Sequence, residues 1–225
     1  MAVTSSYFGP KLFKFLRDLA ANNNKAWFQE NKPRYEDDVK EPLLHFISDF
    51  ADHLEKISEQ FNSDPRPNGG SMFRIYRDAR FAKDKEPYKT HAAAHFRHRV
   101  GKDVHAPGFY LHLEPGNCFM GGGIWHPDPP ALHRIRDAIV AKPDEWKKVL
   151  KSGLVVEGDT LTRAPQGYRA DHPFVADLKR KDFFTSIPFS DKEACSADFI
   201  KRYADACKKS LPLMKFLTHA VELPF

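Results

Sequence analysis

The most concentrated chemistry in the sequence lies in residues 71–91, which read SMFRIYRDARFAKDKEPYKTH. From Arg74 to Lys89 this segment carries six basic residues and three acidic ones, with aromatic residues between them. Arginine suits phosphate or carboxylate because its planar guanidinium donates to two oxygens at once. The segment predicts an anion site, although a hydrated surface with local ion pairs would have the same composition. The expected anion ligands are Arg74, Arg77, Arg80, Lys85 and Lys89.

A sheet face with polar and aromatic side chains is expected next to this anion site. In residues 109–114, polar and apolar side chains alternate, so that Tyr110 and His112 share one face of a strand. Residues 95–100 show the same alternation, and within 72–77 Phe73 and Ile75 are expected to share the apolar face that the N-terminal helices cover. This pattern predicts a binding floor made of Tyr76, Tyr110 and His112, and an ordinary hydrated sheet face is the alternative.

Three consecutive glycines, at 121–123, permit the close approach of a ligand or of another backbone. They precede Trp125, which is expected to stack on an apolar or ring portion of the ligand. The helix that begins near Pro129 offers free N–H groups, which suit an anion. No Gly-Lys-Ser/Thr follows the glycines, so this is not a phosphate-binding loop. A glycine bulge at a strand end would explain the same residues.

The same segments contain residues that could serve in acid–base catalysis or metal binding. Asp78, His91 and His112 are the first candidates for a general acid or base, and the residue pattern selects none of them. His91 and His95 are four residues apart, which on a strand is too far for one ion, so we predict no metal site. No cofactor is indicated.

Helices are expected at both ends of the chain and strands in its middle. Apolar residues recur at helical spacing after Pro10 and again from Pro42 to Ile57, and Pro42 is expected to interrupt or restart the preceding helix. The predicted strands are 72–77, 95–100, 109–114 and 117–125, with a hairpin turn at 114–117. Further predictions are a helix after Pro130, a hairpin at 154–161, a helix at 172–181, a strand at 183–189 and helical structure at 197–221.

This order of elements predicts the fold class. Helices, then a meandering sheet, then helices do not make a βαβ alternation. We therefore expect one α+β domain over residues 1–225, with a mainly antiparallel central sheet and the N-terminal and C-terminal helices packed on it.

Composition limits the possible environments and partners. No apolar run approaches the roughly 18 residues that span a bilayer, and the N-terminus does not resemble a secretory signal. Three cysteines without metal-like spacing indicate free thiols, and the cytoplasm is the expected location. A net charge of +5 mildly favours anionic partners. Oligomeric state is not indicated.

Several strings of residues together resemble a known family. They are Asn23–Phe28, Arg74–Asp78, Pro87–His91, Gly108–His112 and Asp171–Pro173. The set is similar to the family catalogued as domain of unknown function 2461, over about residues 8–216. The resemblance implies a single full-length domain with a signature centred on residues 74–91. It implies no reaction, cofactor or catalytic residue.

Three functions remain open from the sequence. The preferred one is a basic, aromatic-lined pocket for a small ligand that carries phosphate or carboxylate, with or without turnover. The second is a non-catalytic nucleic-acid-binding protein that uses the same residues on an open groove. The third is a protein-interaction module. A concave site would favour the first, an open basic stripe the second and a flat patch the third.

Overall fold

A computed structural model describes residues 6–78, 84–101 and 106–225 of the chain. Four strands form one antiparallel sheet in the order of the sequence. They are β1 (Ala92–Arg97), β2 (Gly108–Leu113), β3 (Cys118–Ile124) and β4 (Phe183–Phe189). The helices before the sheet are α1 (Pro10–Ala21), α2 (Lys25–Glu30), α3 (Lys32–Tyr35) and α4 (Glu41–Glu55). Between and after the strands lie α5 (Pro129–Ala141), α6 (Pro143–Lys151), α7 (Val175–Leu178), α8 (Asp191–Ala194), α9 (Phe199–Lys209) and α10 (Leu211–Ala220).

The apolar face of the sheet is covered by helices from both ends of the chain. Phe109, Leu111 and Leu113 of β2 are fully buried, as the alternation in this segment predicts. Helices α4, α9 and α10 contact the sheet on this side. Phe50 of α4 and Tyr203 of α9 both pack on Phe96 of β1. The predicted single α+β domain with a mainly antiparallel sheet is therefore confirmed.

The helix that contains Pro42 continues through the proline, which we had expected to interrupt or restart it. Residues Glu36–Lys40 form a wider π-helical turn between α3 and α4. Proline has no N–H to donate and its ring crowds the preceding turn. The wider turn, which lies directly before Pro42, accommodates both effects without ending the helix.

A second apolar cluster lies under the connection between β3 and β4. Trp146 of α6 is fully buried there, and its indole N–H donates to Asp177 over 3.0 Å. Ile135 of α5 and Leu217 of α10 belong to the same cluster. Helix α6 was not predicted, because its short apolar stripe is interrupted by charged residues.

The predicted strand at 72–77 is wrong, and its failure changes where one aromatic residue lies. Phe73 N–H donates to Ala93 O of β1, whereas Arg77 N–H donates to Pro87 O. The chain thus changes partners between these points and makes only isolated bridges. Ile75 is buried, as expected, but Phe73 faces away from the helices.

Three smaller predictions also need correction. Residues 154–161 do not pair with each other; Glu157 and Thr160 instead bridge to Phe184 and Arg180. The predicted helix at 172–181 is reduced to α7. The helical tail is divided at Ser210, where α9 ends and α10 begins. The hairpin turn at 114–117 is confirmed by the hydrogen bond from Asn117 N–H to Glu114 O, 2.9 Å long.

No helix in the described part of the chain combines the length and the apolar character that crossing a membrane requires.

Truncation of the central strand tests whether this face is the main core. Leu111→Ala removes a fully buried side chain and should lower the free energy of unfolding by about 2–5 kcal/mol. Urea denaturation measures the change. Val155→Ala is the control, because Val155 is 71% exposed and its truncation should change stability by less than about 0.5 kcal/mol. Equal effects of the two substitutions would contradict the assigned core.

Candidate functional site

The sheet face opposite the helices forms the floor of a cavity of about 440 Å³. The strand register places His95 of β1 and Gly121 of β3 on either side of Tyr110 of β2. Phe184 of β4 lies opposite Gly123, two residues farther along β3 than Gly121. The cavity is lined by Phe73, Lys89, His91, His95, Ala106, Gly108, Tyr110, Phe119, Gly121, Gly122, Gly123, Trp125 and Phe184.

Glycine at 108 is required by the close approach of a histidine. A Cβ at this position would lie 2.2 Å from His95 Nε2. Real Cβ atoms do not approach other atoms so closely, so any larger residue at 108 would displace His95. The missing side chain of Gly108 therefore sets the position of His95 in the floor.

Lys89 is the charged side chain among the described residues that line the cavity. Its ammonium lies 5.0 Å from the centre of the Phe73 ring, which is within the range of a cation–π contact. Burial, followed by the nearby charge of Arg74, lowers the pKa of Lys89. No carboxylate lies among the lining residues of the described chain, so an anion would supply the missing counter-charge.

His95 lies in the floor with an unused hydrogen-bonding atom. It is only 8% exposed, and its Nδ1 has no partner in the described ranges of the chain. Burial, followed by the charge of Arg97, lowers the pKa of His95 to about 4, so the ring is neutral at pH 7. A buried polar atom without a partner costs free energy, so the position of His95 is maintained by the packing around it.

Three side chains of β2 and the turn after it form a hydrogen-bonded chain that ends in the cavity. The Tyr110 hydroxyl lies 2.9 Å from His112 Nδ1, and His112 Nε2 lies 3.3 Å from a Glu114 oxygen. The three residues are two apart, so they project from the same face. Of the three, only Tyr110 lines the cavity.

The protonation states of this chain follow from the burial of its members and from their hydrogen bonds. Burial alone would raise the pKa of Glu114, but hydrogen bonds from Asn117 and His112 hold the pKa below its ordinary value. Burial lowers the pKa of His112, and Glu114 partly offsets this effect. A neutral imidazole beside a carboxylate carries its proton on Nε2. Nδ1 therefore accepts a hydrogen bond from the Tyr110 hydroxyl.

This arrangement can move a proton at the cavity wall. Burial, followed by the charge of Glu114, raises the pKa of Tyr110, so its hydroxyl stays protonated at neutral pH. It can accept a hydrogen bond from a ligand while it donates to His112. It can also exchange a proton with the ligand through His112.

His91 lies beside this chain and also lines the cavity. Its ring centre is 4.4 Å from that of His112. Burial, followed by the nearby His112, lowers the pKa of His91 to about 4. His91 directly precedes β1, so it is not a strand residue beside His95 as the sequence analysis assumed. Its partner comes from the neighbouring strand.

A buried carboxylate positions the residues beside the Trp125 wall. Asp182 is 2% exposed and accepts from His126 N–H at 2.8 Å and from Asp159 N–H at 3.1 Å. His126 Nδ1 lies 3.0 Å from the same carboxylate. These bonds hold His126 at a φ of 49°, a conformation that costs a non-glycine residue free energy. They therefore fix the chain where Trp125 reaches the cavity.

Some of the predicted site residues lie in the cavity and others do not. Lys89, Tyr110 and Trp125 line the cavity, as does the acid–base candidate His91. His112 lies directly behind Tyr110. The remaining candidates Arg74, Tyr76, Arg77, Asp78 and Lys85 do not line the cavity, and Arg80 lies outside the described residues.

Local partners explain why two of these residues are directed elsewhere. Arg77 donates to Asp84 at 2.8 Å and lies 4.0 Å from Glu86, so its charge is already matched. Tyr76 is 54% exposed and packs near Phe28 and Tyr88, on the side of the N-terminal helices. The sequence shows how many charged residues the segment contains. It does not show which way their side chains point.

Aromatic wall residues were the main omission of the sequence analysis. Phe73 had been assigned to the core, and Phe119 and Phe184 had been given no role. Alternation within β3 places Phe119 on the face of Gly121, and this signal was available. Phe184 follows from the pairing of β4 with β3, which a single strand pattern does not reveal.

Comparison with known proteins adds a family and no function. The model of a family described as "Conserved hypothetical protein (DUF2461)" matches residues 11–216, which confirms the resemblance found in the sequence. A search of curated proteins finds no match.

The role of Asp182 can be tested by removing one of its acceptors. Asp182→Asn leaves a single acceptor oxygen for the two backbone donors of His126 and Asp159. One buried N–H then loses its partner, so the free energy of unfolding should fall by about 1–3 kcal/mol. Hydrogen exchange at His126 should become faster. The control is Asp144→Asn on the exposed surface of α6, and an equally small effect of both variants would contradict the assigned role.

Proposed function

The chain belongs to this family of conserved hypothetical proteins, and we propose from its cavity that it binds a small molecule with an apolar or ring portion and one carboxylate or phosphate group. The main support for this proposal is the cavity of about 440 Å³. Among the described residues that line it, Lys89 is the charged one. This volume falls within the range of small-molecule sites.

The charge of the cavity supports an anionic group on the ligand. Lys89 has lost part of its hydration, and this burial is the main cause of its lowered pKa. A ligand anion beside it would restore a counter-charge and form a charge-assisted hydrogen bond. The His95 ring lines the floor of the same cavity. One ammonium suits a single carboxylate or phosphate better than a polyphosphate.

The walls support a flat apolar portion. Phe73, Phe119 and Phe184 line the cavity together with Trp125. Aromatic rings favour offset-stacked or edge-to-face contact with another ring and contribute about 0.5–1.5 kcal/mol beyond the burial of area. Gly121 leaves room above β3 for such a group, because a side chain there would lie against Tyr110 and Phe119.

The concave shape favours a small ligand over the two alternatives from the sequence. An open basic stripe for nucleic acid would need the arginines of residues 71–91 on one surface. Arg77 is instead engaged by Asp84, and Lys89 lies inside the cavity. We therefore keep the small anionic ligand as the partner and do not favour nucleic acid.

Turnover is a natural extension of binding in this pocket. The hydroxyl of Tyr110 borders the ligand space and is linked through His112 to Glu114. Such a chain can donate a proton to a ligand or remove one from it. Of the acid–base candidates from the sequence, His91 and His112 therefore stay proposals.

We also propose that the protein works in the cytoplasm. Its three cysteines, Cys118, Cys195 and Cys207, are free thiols, which supports a reducing compartment.

Matched ligand pairs test the proposal directly. Benzoate against benzamide, and phenyl phosphate against phenol, compare an anion with a neutral relative of similar size. We expect the anion of each pair to bind at least about tenfold more tightly by calorimetry. Lys89→Met should weaken the binding of the anion by about 1.5–3 kcal/mol, or about ten- to 150-fold, and leave the affinity for the neutral compound nearly unchanged.

Two further variants act as controls for this measurement. Lys151→Met removes an exposed lysine at the end of α6 and should leave the affinities unchanged. Arg77→Ala tests the arginine clamp predicted from the sequence and should have a smaller effect than Lys89→Met. No preference for the anions, or equal losses in all three variants, would refute the proposed site.

A further inference from the structure

His91, His112 and Glu114 form a compact group with one potential metal-ligating atom from each side chain. These atoms all lie within 4.8 Å of one another. The group combines two imidazoles and a carboxylate, a donor set typical of zinc and of non-haem iron sites. His112 is buried and the other two are half-buried, so the group is partly shielded from water.

The sheet brings these residues together across two strands. The register pairs Ala92 with Leu113, and one further step of this register sets His91 opposite Glu114. Ala93 pairs with His112, so His91 and His112 are diagonal neighbours on the same face. The spacing of His91 and His95 along the chain does not reveal this cross-strand group, which is why the sequence predicts no metal site.

The spacing of the group is close to that of a coordination sphere. At metal–ligand distances of about 2.0–2.2 Å, tetrahedral ligand atoms lie about 3.4 Å apart. His112 Nε2 and the Glu114 oxygen are already 3.3 Å apart. His91 is the remaining ligand, and its ligating atom lies no more than 4.8 Å from those of the other two residues.

The groups around these three side chains match the outer shell of a metal site. The Tyr110 hydroxyl contacts the other nitrogen of His112, as second-shell partners of metal-bound histidines do. Glu114 accepts from Thr90 Oγ1 at 3.3 Å and from Asn117 Nδ2 at 2.8 Å. Both imidazoles are neutral at pH 7, because the pKa of each is lowered, with burial as the main cause.

We propose that His91, His112 and Glu114 bind one divalent transition metal ion at the wall of the cavity. Binding displaces the Nε2 proton of His112, which then donates from Nδ1 to the Tyr110 hydroxyl. Because His91 also lines the cavity, the coordination positions left by the protein are open to water or to a ligand. The net charge of the group changes from −1 to +1, which adds to the attraction of Lys89 for an anion.

Metal titration without any organic ligand tests this site independently of the proposed function. Zn²⁺ is titrated by calorimetry and Co²⁺ by visible absorption. We expect one equivalent to bind with micromolar or tighter affinity, and bound Co²⁺ to show the intense d–d bands of a low-coordinate site. No net proton release should accompany binding at pH 7, since both imidazoles are already neutral and the Nε2 proton of His112 moves to Nδ1.

Variants distinguish this site from the other histidines. Glu114→Gln and His91→Asn should each weaken binding more than tenfold. Tyr110→Phe, which removes only the outer-shell contact, should weaken it by about ten- to 100-fold. His133→Asn is the matched control, because His133 also faces a carboxylate, Asp137, and a tyrosine hydroxyl but lies on the exposed surface of α5.

Binding that is absent at one equivalent, or that survives both Glu114→Gln and His91→Asn, would overturn the proposal. Because a variant can fail to fold, the wild-type protein supplies a second measurement. Zn²⁺ should shift the NMR signals of the His91 and His112 rings and leave those of His133 unchanged. Shifts confined to other histidines would equally overturn it. The benzoate and phenyl phosphate measurements in metal-free buffer remain a separate test of the anion pocket.

Discussion

The register of β2 is the constraint on which the rest of the structure depends. Leu111 is buried against the helices, while Tyr110 and His112, its neighbours in sequence, lie on the opposite face, where Tyr110 lines the cavity. A shift of one residue would exchange these faces and bury the polar groups in an aromatic core. The apolar face that stabilises the fold therefore also determines which side chains reach the ligand space. Stability and site geometry cannot be separated on this strand.

The fold was largely predictable because the hydrophobic periodicity and the composition of a short segment determine whether it forms a helix or a strand. The alternation in 109–114 identified both faces of the central strand, and the helical spacing after Pro10 identified α1. Errors occurred where pairing is non-local. Residues 72–77 change partners from β1 to residues 87–89, so the simple alternation of Phe73 and Ile75 fails. Helix α6 was missed because charged residues outnumber its apolar ones.

The candidate site was predicted in part for the same reason. Tyr110, His112 and Trp125 follow from the strand pattern and the glycine run. The arginine clamp did not follow, because a run of charge does not show which charges are matched across a hairpin. Arg77 finds Asp84 only when the chain turns back on itself. The proximity of His91 to His112 likewise requires the register between β1 and β2, which no single-strand pattern contains.

The wall formed by Phe184 has a consequence for the lifetime of the protein. Phe184 belongs to β4, which returns to the sheet only after residues 125–182, a stretch that includes α5, α6 and part of the second apolar cluster. Local opening of β4 would remove one wall of the cavity. A molecule that binds only the closed cavity therefore stabilises the docking of this whole stretch by mass action. Occupancy of the pocket would then protect peptide bonds far from it against proteolysis, so the turnover of the protein would depend on the concentration of its ligand.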